Sequence, residues 1–211
     1  MRGFSWVGRT LLLTAVAACW LGCGGDNNYD ENNSVVKGAF IDGRDSAKYA
    51  TVKIGGKTWT AENLNYRTDN SWCYMNADSN CVKYGRLYAW AAAKTACPKG
   101  WRLPDASEWR KLVAAVGGQS VAGGKLKSAS GWNGDGDGTD SYGFSALPGG
   151  NRYPEGKFGG AGEIGWWWTA TERGSGGAYY QSMRFDSDGA DDRYGNDNKS
   201  YGDSVRCVKD E

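Results

Sequence analysis

With 211 residues, less an N-terminal leader, the chain has room for one domain with its own hydrophobic core and little room for a second. Its 25 basic and 24 acidic residues supply no charge excess for binding nucleic-acid backbones. The lack of any histidine removes the usual general base of serine and cysteine hydrolases and the commonest ligand of zinc, copper and non-haem iron. The 33 Gly, 11 Trp and 12 Tyr describe short strands joined by turns, with large rings packed between the strands or displayed on them.

Arg2 and Arg9 precede a short apolar run at residues 11–18, which reads as an export signal and is too short to span a bilayer as a permanent helix. The run leads into VAACWLGCGGD at residues 16–26, which resembles a bacterial lipobox, where cleavage falls just before a cysteine that then carries lipid. Cys19 follows the better triplet, but cleavage there would leave Cys23 unpaired. Cleavage before Cys23 leaves four cysteines to pair, so the count favours Cys23 as the lipidated residue. Gly24, in place of Asp, resembles the signal that sends Gram-negative lipoproteins on to the outer membrane, so a lipid-anchored, surface-exposed position there is expected. The expected layout is a signal peptide over residues 1–22, a lipidated cysteine and flexible spacer over 23–47, and a folded domain over 48–211. The spacer is polar and acidic in DNNYDENNS, at residues 26–34.

Residues 51–60 alternate apolar and polar around Gly55-Gly56, which predicts a hairpin with a tight turn. Cys73, Cys81, Cys97 and Cys207 are an even set in an oxidising compartment and can pair in three ways. Cys73 and Cys81 flank the turn-forming residues 75–80 and make the natural short bridge, in which case Cys97 pairs with Cys207. Residues 87–97 are rich in helix formers and stop at Pro98 and Gly100, giving a first helix. A second is marked by Asp105 and Glu108 as a capping box and by Trp109, Leu112, Val113 and Val116 on one face, and Gly117-Gly118 ends it. Beyond Gly124, aromatic or apolar knots at Trp132 and residues 144–148, 166–168, 178–180, 183–185 and 204–208 punctuate glycine-rich text. They predict short strands between long loops. Two helices with short antiparallel strands and long loops make an α+β domain, and its loops are where binding is expected.

CPKGWRLPDASEW at residues 97–109, GFSALPGG at 143–150, WWTATE at 167–172 and SVRCVKD at 204–210 resemble, in order and spacing, the Fibrobacter succinogenes major paralogous domain family. The resemblance covers residues 48–211. That family is distantly similar to the C-type lectin-like fold. The likeness implies a disulfide-stabilised domain in which a cysteine beside a helix bridges to one in the final strand, where Cys97 and Cys207 stand. It implies fold and location, and no settled activity.

If extended, Trp166-Trp167-Trp168 puts Trp166 and Trp168 on one face and Trp167 on the other. Flat rings suit the C–H faces of pyranoses, so these three, with Tyr179, Tyr180, Arg184 and Tyr194, are the candidate ligand-binding residues. The competing reading puts each tryptophan in the core of a domain poor in aliphatic residues. NGDGDGTD at residues 133–140 sets oxygens at alternate positions, as the first half of a calcium loop does. Asp135, Asp137 and Asp140 are therefore candidate metal ligands and calcium is the cofactor in view, although Ala146 stands where an EF-hand would have its bidentate Glu. The alternative is a loop of Asx turns that only shapes the backbone. A glycosidase would need two carboxylates, from among Glu108, Glu163 and Glu172, but Glu108 is already accounted for as a helix cap.

The expected function is that of a non-catalytic surface module binding an extracellular polysaccharide or protein through an aromatic loop face. It would touch the membrane through its lipid anchor alone and bind no nucleic acid. The alternatives are a structural or adhesive envelope protein and a carboxylate-based envelope hydrolase.

Overall fold

The computed structural model describes residues 35–192 and 197–210, which cohere as one unit. Strand β1 (Val36–Ile41) lies antiparallel on β2 (Lys48–Ile54), so the spacer expected to run to residue 47 instead contributes an edge strand. Its side chains are largely exposed, so it shows no alternation. Its order comes from backbone pairing, with Phe40 alone stacking inward, 4.4 Å from the Trp101 ring. The hairpin read in residues 51–60 forms between β2 and β3 (Lys57–Thr60), with Ile54 opposite Lys57. Gly55 and Gly56 carry φ of +60° and +82°, as a two-residue primed turn requires.

After β4 (Ser71–Trp72) a 3-10 turn at Tyr74–Asn76 leads into α1 (Asp78–Tyr84), in a segment predicted to be loop. Strand β5 (Leu87–Ala89) precedes α2 (Trp90–Ala96). The first turn of the predicted helix is thus drawn into the sheet, where Leu87 and Tyr88 are buried and pair across to later strands. Strand β6 (Trp101–Arg102) is followed by α3 (Ala106–Ala115), capped as predicted. Asp105 accepts from the Glu108 N–H at 2.9 Å, and the Glu108 carboxylate accepts from the Asp105 N–H at 2.9 Å.

Helix α4 (Gln119–Leu126) was not predicted, because Gly123-Gly124 sits inside it and each glycine costs about 1 kcal/mol relative to alanine. Gly123 is required by close approach: a Cβ there would lie 2.2 Å from the Gly189 carbonyl oxygen, whereas one at Gly124 would meet only the Asp188 side chain. The two predicted helices are therefore four α-helices among the described residues.

The remaining strands are β7 (Gly149–Arg152), β8 (Phe158–Ala161), β9 (Ile164–Arg173), β10 (Gly177–Arg184), β11 (Ala190–Asp191), β12 (Asp197–Asn198), β13 (Gly202–Ser204) and β14 (Val208–Lys209). One sheet runs β1-β2-β3-β14-β6 and the other β11-β10-β9-β7-β13-β5-β4, with β12 on β10 and β8 on β7. The strands are not all antiparallel as expected, since β9 runs parallel to both β7 and β13. The fold is mixed α+β, pinned by the bridges Cys73–Cys81 and Cys97–Cys207.

Two core clusters flank β9. Trp59, Trp109, Leu112, Phe144 and Trp167 belong to one, and Tyr49, Leu64, Tyr88, Trp90 and Trp168 to the other. Between them runs the C-terminal segment, where Arg206 is fully buried. Its guanidinium donates to the carbonyls of Thr60, Phe144 and Ser145 and to Asn63 Oδ1, at 2.7 to 2.9 Å. Burial pulls this group down to about 9, so it stays charged at neutral pH.

Candidate functional site

Strands β7, β8 and β13 are rich in glycine, and where a strand lacks side chains a ring from elsewhere can lie on its backbone. Gly149 faces Ala161 and Asn151 faces Gly159 across β7 and β8, which sets Gly150 opposite Gly160. A Cβ at Gly150 would lie 2.9 Å from Tyr74 Cε2, and one at Gly160 2.9 Å from Trp166 Cζ3. One at Gly202, opposite Arg152 in the ladder, would lie 3.3 Å from Trp72 Cε3. Gly150 and Gly160 also hold φ of +66° and +76°, so alanine there would meet both a ring and backbone strain.

A fourth ring, Phe158, and the Arg152 side chain each add one contact. Phe158 meets Tyr74 edge-on at 5.4 Å, and the Arg152 guanidinium lies 4.0 Å over Trp72. Phe158 pairs with Arg152 in register, so the two side chains share a face. Trp72, Tyr74, Phe158 and Trp166 are all half-buried.

Trp72 and Tyr74 flank Cys73, and the bridge to Cys81 fixes that point of the chain. The Arg86 guanidinium lies 3.5 Å from the Cys73 sulfur and 3.3 Å from that of Cys81, and donates to Ser71 O at 3.1 Å. The bridge and this arginine together hold the short β4 turn against the sheet. The result is an aromatic surface with a cationic hydrogen-bond donor on it, suited to ring C–H faces and hydroxyl groups.

Of the residues named from sequence, Trp166 belongs to this surface. Trp167 and Trp168 do not: both have no exposure, because β9 is covered on each side by a core cluster. Trp167 donates its indole N–H to Asn63 Oδ1 at 2.8 Å and Trp168 to the Tyr88 carbonyl at 2.7 Å, so their polar atoms are satisfied inside. Tyr180 packs against the second core cluster and Tyr179 lies beneath the Arg173 guanidinium at 6.0 Å, both on β10 rather than among the gathered rings. Arg184 is exposed but tied to Asp186 by two hydrogen bonds of 2.9 and 3.0 Å. Tyr194 and Cys23 lie outside the described residues.

The expected calcium ligands are not assembled into a site. Asp137 accepts from the Trp132 N–H at 2.9 Å, and Asp140 accepts from the Ser145 N–H at 2.7 Å and its hydroxyl at 2.6 Å. Two of the three carboxylates are thus committed to shaping their own loop. Among the described residues no group of three acidic or thiol side chains could hold a metal ion.

Residues 52–209 match the model of the Fibrobacter succinogenes major domain. The chain belongs to that family. No curated protein and no solved structure matches it. In this Fibrobacter succinogenes major domain the stretches that carry the family likeness are largely scaffold. Arg102 grips Glu108 through two bonds of 2.7 Å and holds that carboxyl below the usual carboxylate range, while Trp167, Trp168, Arg206 and Cys207 are buried. The ring surface uses Trp72, Tyr74, Arg152 and Phe158, which the sequence reading passed over. The available signal was the glycine pairs at 149–150 and 159–160, the first followed two residues on by Arg152 and the second preceded directly by Phe158. No helix among the described residues is long and apolar enough to cross a membrane.

Proposed function

We propose that the chain is a non-catalytic, lipid-anchored module of the outer-membrane surface, C-type lectin-like in fold. It binds an extracellular glycan through Trp72, Tyr74, Phe158 and Trp166, with Arg152 donating to hydroxyl groups. One observation carries this reading: Tyr74, Trp166 and Trp72 lie against the glycine positions Gly150, Gly160 and Gly202 and, with Phe158, stay only half-buried where a core ring would be enclosed. A pyranose stacked on such rings buries its C–H face and keeps its hydroxyls for polar partners. The lipobox at residues 16–26 and the disulfides favour work outside the cytoplasm.

The test is depletion of the lipid-free protein, residues 26–211, by a panel of insoluble plant and bacterial polysaccharides. At least one should bind saturably, and Trp72→Ala should weaken binding roughly tenfold, the equivalent of about 1.4 kcal/mol. Retention by none of the panel, alongside capture of a defined envelope protein, would move the function to adhesion.

A further inference from the structure

The ring surface carries an arginine that the chain does not neutralise. Arg152 lies 4.0 Å over Trp72, and Nη1 donates to the Tyr153 carbonyl in a long contact of 3.3 Å. Among the described residues no carboxylate lies within ion-pair distance of it. A guanidinium is a planar fork of N–H donors, so most of this fork is uncommitted. Four other arginines are matched within the chain: Arg44 by Asp42 at 2.7 Å, Arg102 by Glu108 at 2.7 Å, Arg110 by Asp192 at 3.9 Å and Arg184 by Asp186 at 2.9 Å.

Arg67 also lacks an ion pair among the described residues, but it is exposed, where water meets its charge. Arg152 is half-buried on an indole that satisfies the face of the guanidinium and none of its N–H groups. It stands opposite Phe158 in the ladder and shares its face, and Phe158 meets Tyr74 at 5.4 Å. The fork is therefore fixed beside the rings on which a sugar would stack. A hydroxyl would take its N–H groups singly and leave the charge unmet. A carboxylate takes two parallel N–H bonds and cancels the charge.

We infer that the ring surface selects acidic glycans: a uronate residue stacks by its C–H face on the rings while its carboxylate accepts two N–H bonds from Arg152. A hexuronate carries its carboxylate at the rim of the ring, so stacking turns this group sideways, toward a donor held at the edge of the platform. The inference rests on the glycan reading of this surface and narrows it to one class of sugar.

The experiment measures binding of the lipid-free protein, residues 26–211, to polygalacturonate, alginate and glucuronoxylan, each beside its carboxyl-reduced form, with cellulose, mannan and dextran sulfate for comparison. At least one uronate polymer should bind roughly tenfold more tightly than its reduced form, and added salt should shrink the difference. Arg152→Gln should weaken binding to the acidic form roughly tenfold more than to the reduced form, which erases the preference. Arg152→Lys, with the charge and without the fork, should keep only part of it. Should Arg152→Gln fail to fold, Arg152→Lys and the salt dependence of the parent carry the test. Equal binding of acidic and reduced forms, a preference that survives Arg152→Gln, or tighter binding to cellulose or mannan than to every uronate would overturn the inference and leave the glycan reading standing. Dextran sulfate held as tightly as any uronate polymer would replace the carboxylate fork by general charge attraction. Retention of no polysaccharide would overturn both.

Discussion

Two groups of aromatic rings, one on each side of β9, differ in what lies against them. Trp59, Trp109, Phe144 and Trp167 interlock with one another at 4.9 to 6.1 Å and are fully enclosed. Trp72, Tyr74 and Trp166 lie against glycine positions, Phe158 lies against Tyr74, and all four remain partly exposed. Both groups are built from large aromatic rings; the backing decides whether a ring fills a core or stays partly exposed. An enclosed ring contributes its whole area to stability, whereas a ring backed on one side keeps the other for a ligand.

The sharpest way to break the comparison is to remove a ring from the enclosed group. Trp167→Ala should cost about 3–5 kcal/mol in denaturant unfolding, since it leaves a cavity and strips Asn63 of a donor. Cutting the bridge between α2 and the C-terminal segment by Cys207→Ser should cost about 2–5 kcal/mol, and an unchanged melting temperature would argue that the bridge carries no stability. Gly160→Ala tests the backing itself. Positive φ and the Trp166 ring together predict a loss of about 1–3 kcal/mol with a parallel loss of glycan binding, and normal binding would show that Trp166 needs no glycine beneath it.

Acid should act on the scaffold and leave the ring surface to follow it. Arg102 holds the Glu108 carboxyl below its usual range, and Arg44 does the same for Asp42. Groups depressed in the folded state stabilise above their unfolded pKa of about 4 and lose that contribution as pH falls through the folded values. The melting temperature should therefore be flat from pH 7 to about 5 and fall below about 4, less steeply in Arg102→Ala, which already lacks the pair.

Much of the scaffold was legible because its signals are local. The glycine pair at 55–56, the Asp105–Glu108 cap and the short Cys73–Cys81 loop each specify structure within about ten residues. Helix α4 was not legible, since Gly123 is demanded by the Asp188–Gly189 backbone some sixty-five residues on. The ring surface was hidden for the same reason: it draws residues 72, 74, 152, 158 and 166 together through ladder register and bridge geometry. Trp166-Trp167-Trp168 drew notice by composition, yet burial by partners distant in sequence left one of the three outside the core.

The most direct measurement sets Trp72→Ala beside Trp168→Ala, with glycan affinity and unfolding free energy taken on both. Trp72→Ala should lose roughly tenfold in affinity while staying within about 1 kcal/mol of the parent in stability, and Trp168→Ala should lose about 3–5 kcal/mol of stability. Parent-like glycan affinity in Trp72→Ala would contradict the account.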